Sequence, residues 1–552
     1  MIKKDLLSFL GISLLCVLGN SKTLGQEPVR PTIQQVSFPK DTTHIASFGA
    51  QGDGQFLNTE AINSAIAECH KKGGGVVHIP AGLWLTGPIE LKSNVNLHVG
   101  RDAVLLFTSD FNEYKLVESN WEGEPSWRNQ SPISGRNLEN IGITGKGIID
   151  GNGAAWRMVK KSKLTESQWK KLIESGGVLD EKQEIWYPSI GSLKGSKQKK
   201  PGLMKPGTQA SDFQEVKDFL RPNLLQLTNC KKILLEGVTI QNSPAWNLHP
   251  LMCEDLTLRD LLVLNPWYAQ NGDGVDVESC RNVLIEDCTF DVGDDGICIK
   301  SGRDKAGRDR GMPTENVIIR NNIVYHAHGG FVIGSEMSGG ARNIWVEDCS
   351  FIGTDIGLRF KTTRGRGGVV ENIFIKNINM FDIPGEAILF DMYYMAVDPV
   401  PLAGEKKETV KVVKLPVTEE TPSFKNFTIE NVHVHGADKG IFLRGLPEMN
   451  IQNISITNVN IQAKKGIDII ESSGITLNKI RLKTEESNPL LYVHNGKDIH
   501  INGLSSVNPV EKLIQVSGEE SVNIKIQGNE IKQLNKQKEF INNASESALT
   551  IQ

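Results

Sequence analysis

Cysteine is scarce in this chain: eight occur in 552 residues, with no CxxC pair among them. That excludes the usual closely spaced zinc ligand sets and offers no disulfide framework. Aromatic residues are only 6% of the total, with 7 Tyr and 19 Phe, so the core must be mainly aliphatic. Neither sign of charge dominates. A net charge of −4 leaves no basic surface for nucleic acid. Long apolar runs are missing after the first twenty-five residues, so no later membrane span is expected. The single early run, Leu6 to Leu18, follows Lys3 and Lys4 and precedes TLG before Gln26. It is too short to span a bilayer comfortably and reads as a signal peptide over residues 1–25. Leu15 stands where a lipidated Cys16 would want a small residue. The expected mature protein is exported to the periplasm or beyond, and keeps seven cysteines.

What the chain does have is glycine, 54 in all, and a repeat. A polar pair followed by β-branched alternation recurs in CKKILLEGVTI, CRNVLIEDCTF, VENIFIKNINM, IQNISITNVNI and similar segments. The first core residue of each is Ile233, Leu256, Val283, Val317, Ile344, Ile373, Phe427, Ile454, Ile475, Ile499 and Ile524. All but one of the intervals lie between 21 and 34 residues; the exception, 54, is twice 27. Residues 381–423 are therefore expected to hold one further coil plus an excursion. A period in the twenties, with several short strands per unit, marks a parallel β-helix. The leucine–asparagine skeleton of leucine-rich repeats is absent. The expectation is an all-β chain, one right-handed parallel β-helix over 43–530. A linker at 26–42 precedes it and a polar tail at 531–552 follows. An amphipathic helix around AINSAIAECHKKG should cap the first coil. Residues 152–220 break the period and read as an insertion with one helix near 165–175. Cys230, Cys253 and Cys280 share one repeat position, and Cys288, Asn322 and Cys349 another, so each set should stack as a packing ladder.

The repeat also aligns the chemistry. A second motif in each coil follows a glycine, at Gly274, Gly296, Gly330 and Gly357. Asp273 and Asp295 then occupy one position in neighbouring coils, and Asp294 and His328 another. Arg359 and Lys361 follow on the next coil, with Lys300 and Glu278 sharing the Lys361 position. Several carboxylates, an imidazole and cations on four consecutive coils suit glycosidic hydrolysis. One carboxyl must give a proton while another activates water, and crowding separates their pKa values. Arg359 and Lys361 favour an anionic sugar, because a carboxylate fits a guanidinium fork.

On these residues the chain resembles glycoside hydrolase family 28, the polygalacturonases. The family motifs appear in order as NGDG at 271–274, GDDG at 293–296, AHGG around His328, and RFK at 359–361. The resemblance implies a polygalacturonase, an inverting glycosidase that needs no metal and no cofactor. It implies Asp294 as general acid, with Asp273 and Asp295 holding and deprotonating the attacking water. His328 would support the acid, and Arg359, Lys361, Lys300 and Asn271 would bind the acidic plant polysaccharide or oligogalacturonide. Gly272 stands where endo-acting members carry Thr or Ser, and Ala327 where they carry Gly. RFKTTRGRGG, GSEMSGG and the 152–220 insertion resemble bacterial exo-acting members, so exo cleavage by a monomer is expected. Arg364, Arg366, Glu336, Tyr393 and Tyr394 are further candidate contacts.

Two other readings share parts of this pattern. A pectate lyase would need Ca²⁺ on Asp273, Asp294 and Asp295, which the neighbouring cations oppose. A non-catalytic adhesin would explain export and repeats but not the charged constellation. Within the family, rhamnogalacturonan or xylogalacturonan remains an alternative substrate.

Overall fold

The computed structural model describes residues 28–396, 413–531 and 533–552. The expected signal peptide lies outside these residues, as does the middle of the second insertion, 397–412. No helix among the described residues is long and apolar enough to cross a membrane.

The chain winds into a right-handed parallel β-helix. Its anchors pair one coil to the next: Ile233 with Leu256, then Val283, Val317, Ile344 and Ile373. The ladder continues through Phe427, Ile454, Ile475, Ile499 and Ile524. All are buried in one continuous core. Parallel strands stack at about 4.8 Å, so a residue type repeated at one position becomes a column in space. The sulfur column holds, since Cys253 N–H donates to Cys280 Sγ at 3.3 Å. The second column holds as well, with Cys288 N–H donating to Asn322 Oδ1 at 2.9 Å.

The 54-residue interval differs from expectation. Ile373 pairs directly with Phe427, and the strand Val369–Asp391 pairs with Ser423–Arg444 along most of its length. No extra coil is present among the described residues. The interval is one coil lengthened by an insertion, and its length near twice 27 is a coincidence.

The polar pair before each anchor is a corner. Asn282, Asn316, Asn343, Asn372, Asn426 and Asn453 all have φ between 55° and 59°, a left-handed conformation that Asn tolerates best after Gly. Each side-chain amide donates to its counterpart one coil earlier, as Asn316 does to Asn282 at 3.3 Å and Asn453 to Asn426 at 3.1 Å. After this corner each coil carries a first strand, a second strand, and, past another bend, a third. The third strands, Val275–Glu278, Asp295–Lys300, Gly329–Ile333 and Leu358–Lys361, carry the candidate chemistry.

The helix Thr59–Lys71 turns Ile62, Ala65, Ile66 and Cys69 onto the first coil. Within 152–220 the expected helix is found at Glu166–Glu174, started by a Thr165–Gln168 capping box. The insertion also holds a second helix, Ile190–Ser196, a 3-10 segment, Ala210–Phe219, and a small three-stranded sheet. It packs against an antiparallel hairpin, Leu116–Trp121 with Glu124–Asn129, which the repeat does not announce. The tail also differs from expectation. Leu534–Ile541 and Leu549–Ile551 pair in parallel with Val510–Ser517 and Val522–Gln527, so the helix continues to the last residues. Its final coil reads as polar because it is half exposed.

Candidate active site

The third strands begin at bends that bring Asp273, Asp294 and Asp295 together. One oxygen from each lies within 4.8 Å of the other two. Close stacking at these bends depends on glycine. A Cβ on Gly296 would meet Val324 Cγ1 at 2.4 Å, and one on Gly272 would meet Ala269 O at 2.7 Å. The second contact shows why Thr or Ser would not fit at 272 here.

The three carboxyls have different surroundings. Asp294 is the one that reaches the groove, with 24% of its side chain exposed. Its Oδ1 accepts the Asp295 backbone N–H at 3.0 Å and lies 3.1 Å from His328 Nδ1. The hydrogen bond to Asp294 raises the His328 pKa above its ordinary value against the opposing effect of burial. Asp295 is buried. Lys361 Nζ stands 2.7 Å from its Oδ2 and Arg359 Nη1 3.2 Å from its Oδ1. Burial pushes this carboxyl up, but Lys361, Arg359 and Lys300 together outweigh burial and hold it well below the usual carboxylate range. Asp273 is buried too, and its Oδ1 has no hydrogen-bond partner among the described residues. Burial, with Asp276 and Asp294 nearby, pushes its carboxyl well above the usual range.

Two expected contacts are placed otherwise. Lys300 does not reach out to an acidic sugar. Its ammonium, 5% exposed, lies 3.0 Å from Glu336 and 3.5 Å from Asp276. The register that put it on the face of Lys361 is right, but the chain around 334–340 folds over it, the Glu336 carbonyl accepting from Ser301 N–H at 2.7 Å. Asn271, at φ 52°, turns its side-chain oxygen to Arg221 Nη2 at 2.9 Å, which braces the bend. Arg364 is paired with Glu448 and Arg366 with Asp304. Tyr393 is buried, whereas Tyr394 lies over Lys361 at 5.1 Å.

Two groups escaped sequence reasoning. Asp276, in VDVE, is fully buried beneath the trio, and neither of its oxygens has a hydrogen bond among the described residues. Burial raises it to about 8, against the pull of Lys300. Its signal was an acid at an outward strand position directly after the motif. Arg221 donates to the Pro244 and Gln270 carbonyls, both at 2.9 Å, as well as to Asn271. Nothing in the repeat points to it, because it lies at the end of the insertion.

The groove is roofed on its upstream side. Trp121, at the hairpin tip, stacks on Trp246 at 5.7 Å and 13°. Arg128 lies over Trp121 at 3.7 Å and donates to Arg221 O. Arg303 ties Glu122 into the far wall at 2.9 Å. The hairpin tip thus covers Trp246, on the coil that precedes Asp273. Asp273, Asp294 and Asp295 are also the one converging ligand set among the described residues. The two cations on Asp295 already occupy the oxygens that a metal ion would use.

Known proteins resemble this chain over much of its length. The family model "Glycosyl hydrolases family 28" matches residues 207–440, and "Rhamnogalacturonase A/epimerase, pectate lyase-like" matches 42–196. A probable polygalacturonase of Vitis vinifera is 32% identical over 355 residues, covering 62% of each chain. The matched region thus falls short of two thirds of that relative's length. An exo-poly-alpha-D-galacturonosidase of Dickeya chrysanthemi is 26% identical over 82% of this chain and 73% of its own. The crystal structure of a hyperthermoactive exopolygalacturonase from Thermotoga maritima superposes with a TM-score of 0.63 at 29% identity. That match covers 85% of this chain and 94% of the other.

Proposed function

We propose that this chain is one of the glycosyl hydrolases of family 28, which its residues 207–440 match, and that it cleaves α-1,4-galacturonosyl linkages of polygalacturonate, releasing units from the chain end with inversion. One observation carries this reading: three carboxyls in three different environments, beside Arg359 and Lys361.

Asp294 is the proton donor, because it alone of the three faces the groove and has His328 at its back. Its proton goes to the glycosidic oxygen as the C1–O bond breaks. Water attacks C1 from the other side and gives its proton to the Asp273–Asp295 pair. In the free site burial favours the protonated form of Asp273. A bound sugar covers Asp294 and favours its protonated form by desolvation, and Asp273 then serves as base. Asp295 stays ionised throughout under its two cations and orients the water. The remaining N–H groups of Arg359 hold the carboxylate of the sugar.

Inverting pairs ordinarily stand about 6.5–9.5 Å apart, and these oxygens are closer. Asp295 with a cation on each oxygen is nevertheless a poor nucleophile, which supports direct attack by water. The roof formed by 116–129 and the insertion supports end-on cleavage, since a chain cannot run past Trp121. The expected leader at 1–25 supports an exported enzyme meeting plant cell-wall pectin.

Incubation with polygalacturonate and rhamnogalacturonan tests the reading. Mono- or digalacturonate should accumulate from the first minutes, with slow loss of viscosity and an inverted anomer by NMR. Random shortening would overturn the exo mode, and an unsaturated product absorbing in the ultraviolet would indicate a lyase. Asp294→Asn should lower kcat by about 10³-fold or more while substrate binding persists. A binding protein would show no turnover to lose.

A further inference from the structure

Beyond the groove of the trio lies a second trench, on the second strands of four later coils. Asn379, His433, Asn460 and Arg481 form one row in register, and Phe381, His435, Gln462 and Lys483 the next. The two rows stand two residues apart on the same face, about 7 Å. Between them the backbone of Met380, Val434, Ile461 and Leu482 makes the floor of a space of about 590 Å³.

The positive charge of this trench is uncompensated. Several other cations on the coils meet carboxylates one coil away, as Arg259 meets Glu236 and Glu286, or Lys376 meets Glu347. Arg481 and Lys483 form no ion pair among the described residues, and no Asp or Glu lines the trench. On a chain of net charge −4 this is a local positive strip. His433 and His435 continue it, with Asn460 Nδ2 3.3 Å from His433 Nδ1 and Phe381 stacked on His435 at 5.7 Å. Asp382, Asp438 and Glu485 lie only in an adjoining depression of about 500 Å³ at the bend towards the third strands. Gln462 and Lys483 line both spaces, so the two adjoin.

We propose that this trench is a second binding site for acidic polysaccharide, holding the part of a polygalacturonate chain that leaves the groove over the later coils. The inference rests on the proposed substrate. Its chemistry is that of a polyanion with one carboxylate per sugar, lying along a strip of cations, imidazoles and amides that repeats at about 4.8 Å per coil. An open strip of this kind adds affinity for long chains and leaves the reacting sugars untouched.

The test uses the full chain carrying Asp294→Asn, with and without Arg481→Gln/Lys483→Gln. Affinity is measured for long-chain polygalacturonate and for trigalacturonate. The double substitution should weaken polymer binding about tenfold at low salt, as expected for losing two exposed charge contacts, and flatten its salt dependence. Trigalacturonate affinity and the thermal midpoint should not move. Arg481→Glu/Lys483→Glu should weaken polymer binding further. Equal polymer affinity across these variants, in a protein whose unsubstituted parent hydrolyses trigalacturonate, overturns the trench alone. Failure of the parent to hydrolyse or bind any galacturonate overturns the functional reading and this inference with it.

Discussion

Asp295 and Asp276 show how burial and charge act in opposite senses on two acids of neighbouring coils. Asp295 holds its proton less tightly than the unfolded chain's Asp, near pH 3.9. Its ion pairs therefore stabilise the fold above about pH 4, and that contribution is lost as pH falls. Lys361→Met leaves Arg359 as the one cation in direct contact with this buried carboxylate, at a cost of up to about 3–5 kcal/mol at neutral pH. Burial then weighs more against the charge, so the stability lost on acidification should shrink relative to the parent, read by urea unfolding between about pH 5 and 3. A variant with the parent's slope would show that Lys361 is not the controlling partner. Asp276 works the other way. With its carboxyl at about 8, the folded state binds more protons than the unfolded one between pH 4 and 8. Its contribution to stability therefore declines as pH rises through that range. Asp276→Asn removes the decline, and relative to the parent it should become more stable by at least about 1 kcal/mol at pH 8 compared with pH 5. The alkaline limb of activity should extend with it.

In the end-on cleavage proposed above, the hairpin Leu116–Asn129 is the element that blocks the passing chain. Its tip contributes Trp121 to the stack on Trp246, and its second strand is tied to the insertion through Trp127 N–H to Gly202 O at 2.7 Å and Asn129 to the Lys217 carbonyl. Replacing residues 121–124 with an Asn-Gly turn keeps the strand pairing and removes a stack worth about 1 kcal/mol. The expected outcome is an enzyme that also cuts internally, with viscosity falling several-fold faster per bond broken. An unchanged product pattern would show that the hairpin is not the barrier. The insertion at 152–220 is visible in the sequence because it breaks the period. The hairpin is not, since its six-residue strands match the length of ordinary coil strands.

At the scale of the molecule, stability is spread along a single core in which each coil covers the last. The seven described cysteines are all buried and free, and the column of Cys230, Cys253 and Cys280 serves as packing between coils. Reductant should leave the thermal midpoint within a degree or two. A native disulfide, worth about 2–5 kcal/mol, would instead reveal itself as a drop of several degrees.

The repeat was legible because a stacked coil imposes one side-chain environment at every turn. Aliphatic anchors, left-handed Asn corners and bend glycines recur for that reason, and the same register placed Asp273, Asp294, Asp295, His328, Arg359 and Lys361 on one site. Register says which coil and which face a residue occupies, but not what folds over that face. Lys300 lies at an expected position and is nonetheless sealed beneath Glu336; Asn271 is turned to Arg221; Ile373 meets Phe427 across an interval that looked like two coils. Those outcomes depend on contacts between segments far apart in the chain, which leave no period behind. The sequence by itself therefore determined the coil and the column of acids, imidazole and cations proposed as the active site. Only the tertiary structure decided which charges are left for a substrate, because burial and ion pairing are properties of neighbours brought together by folding.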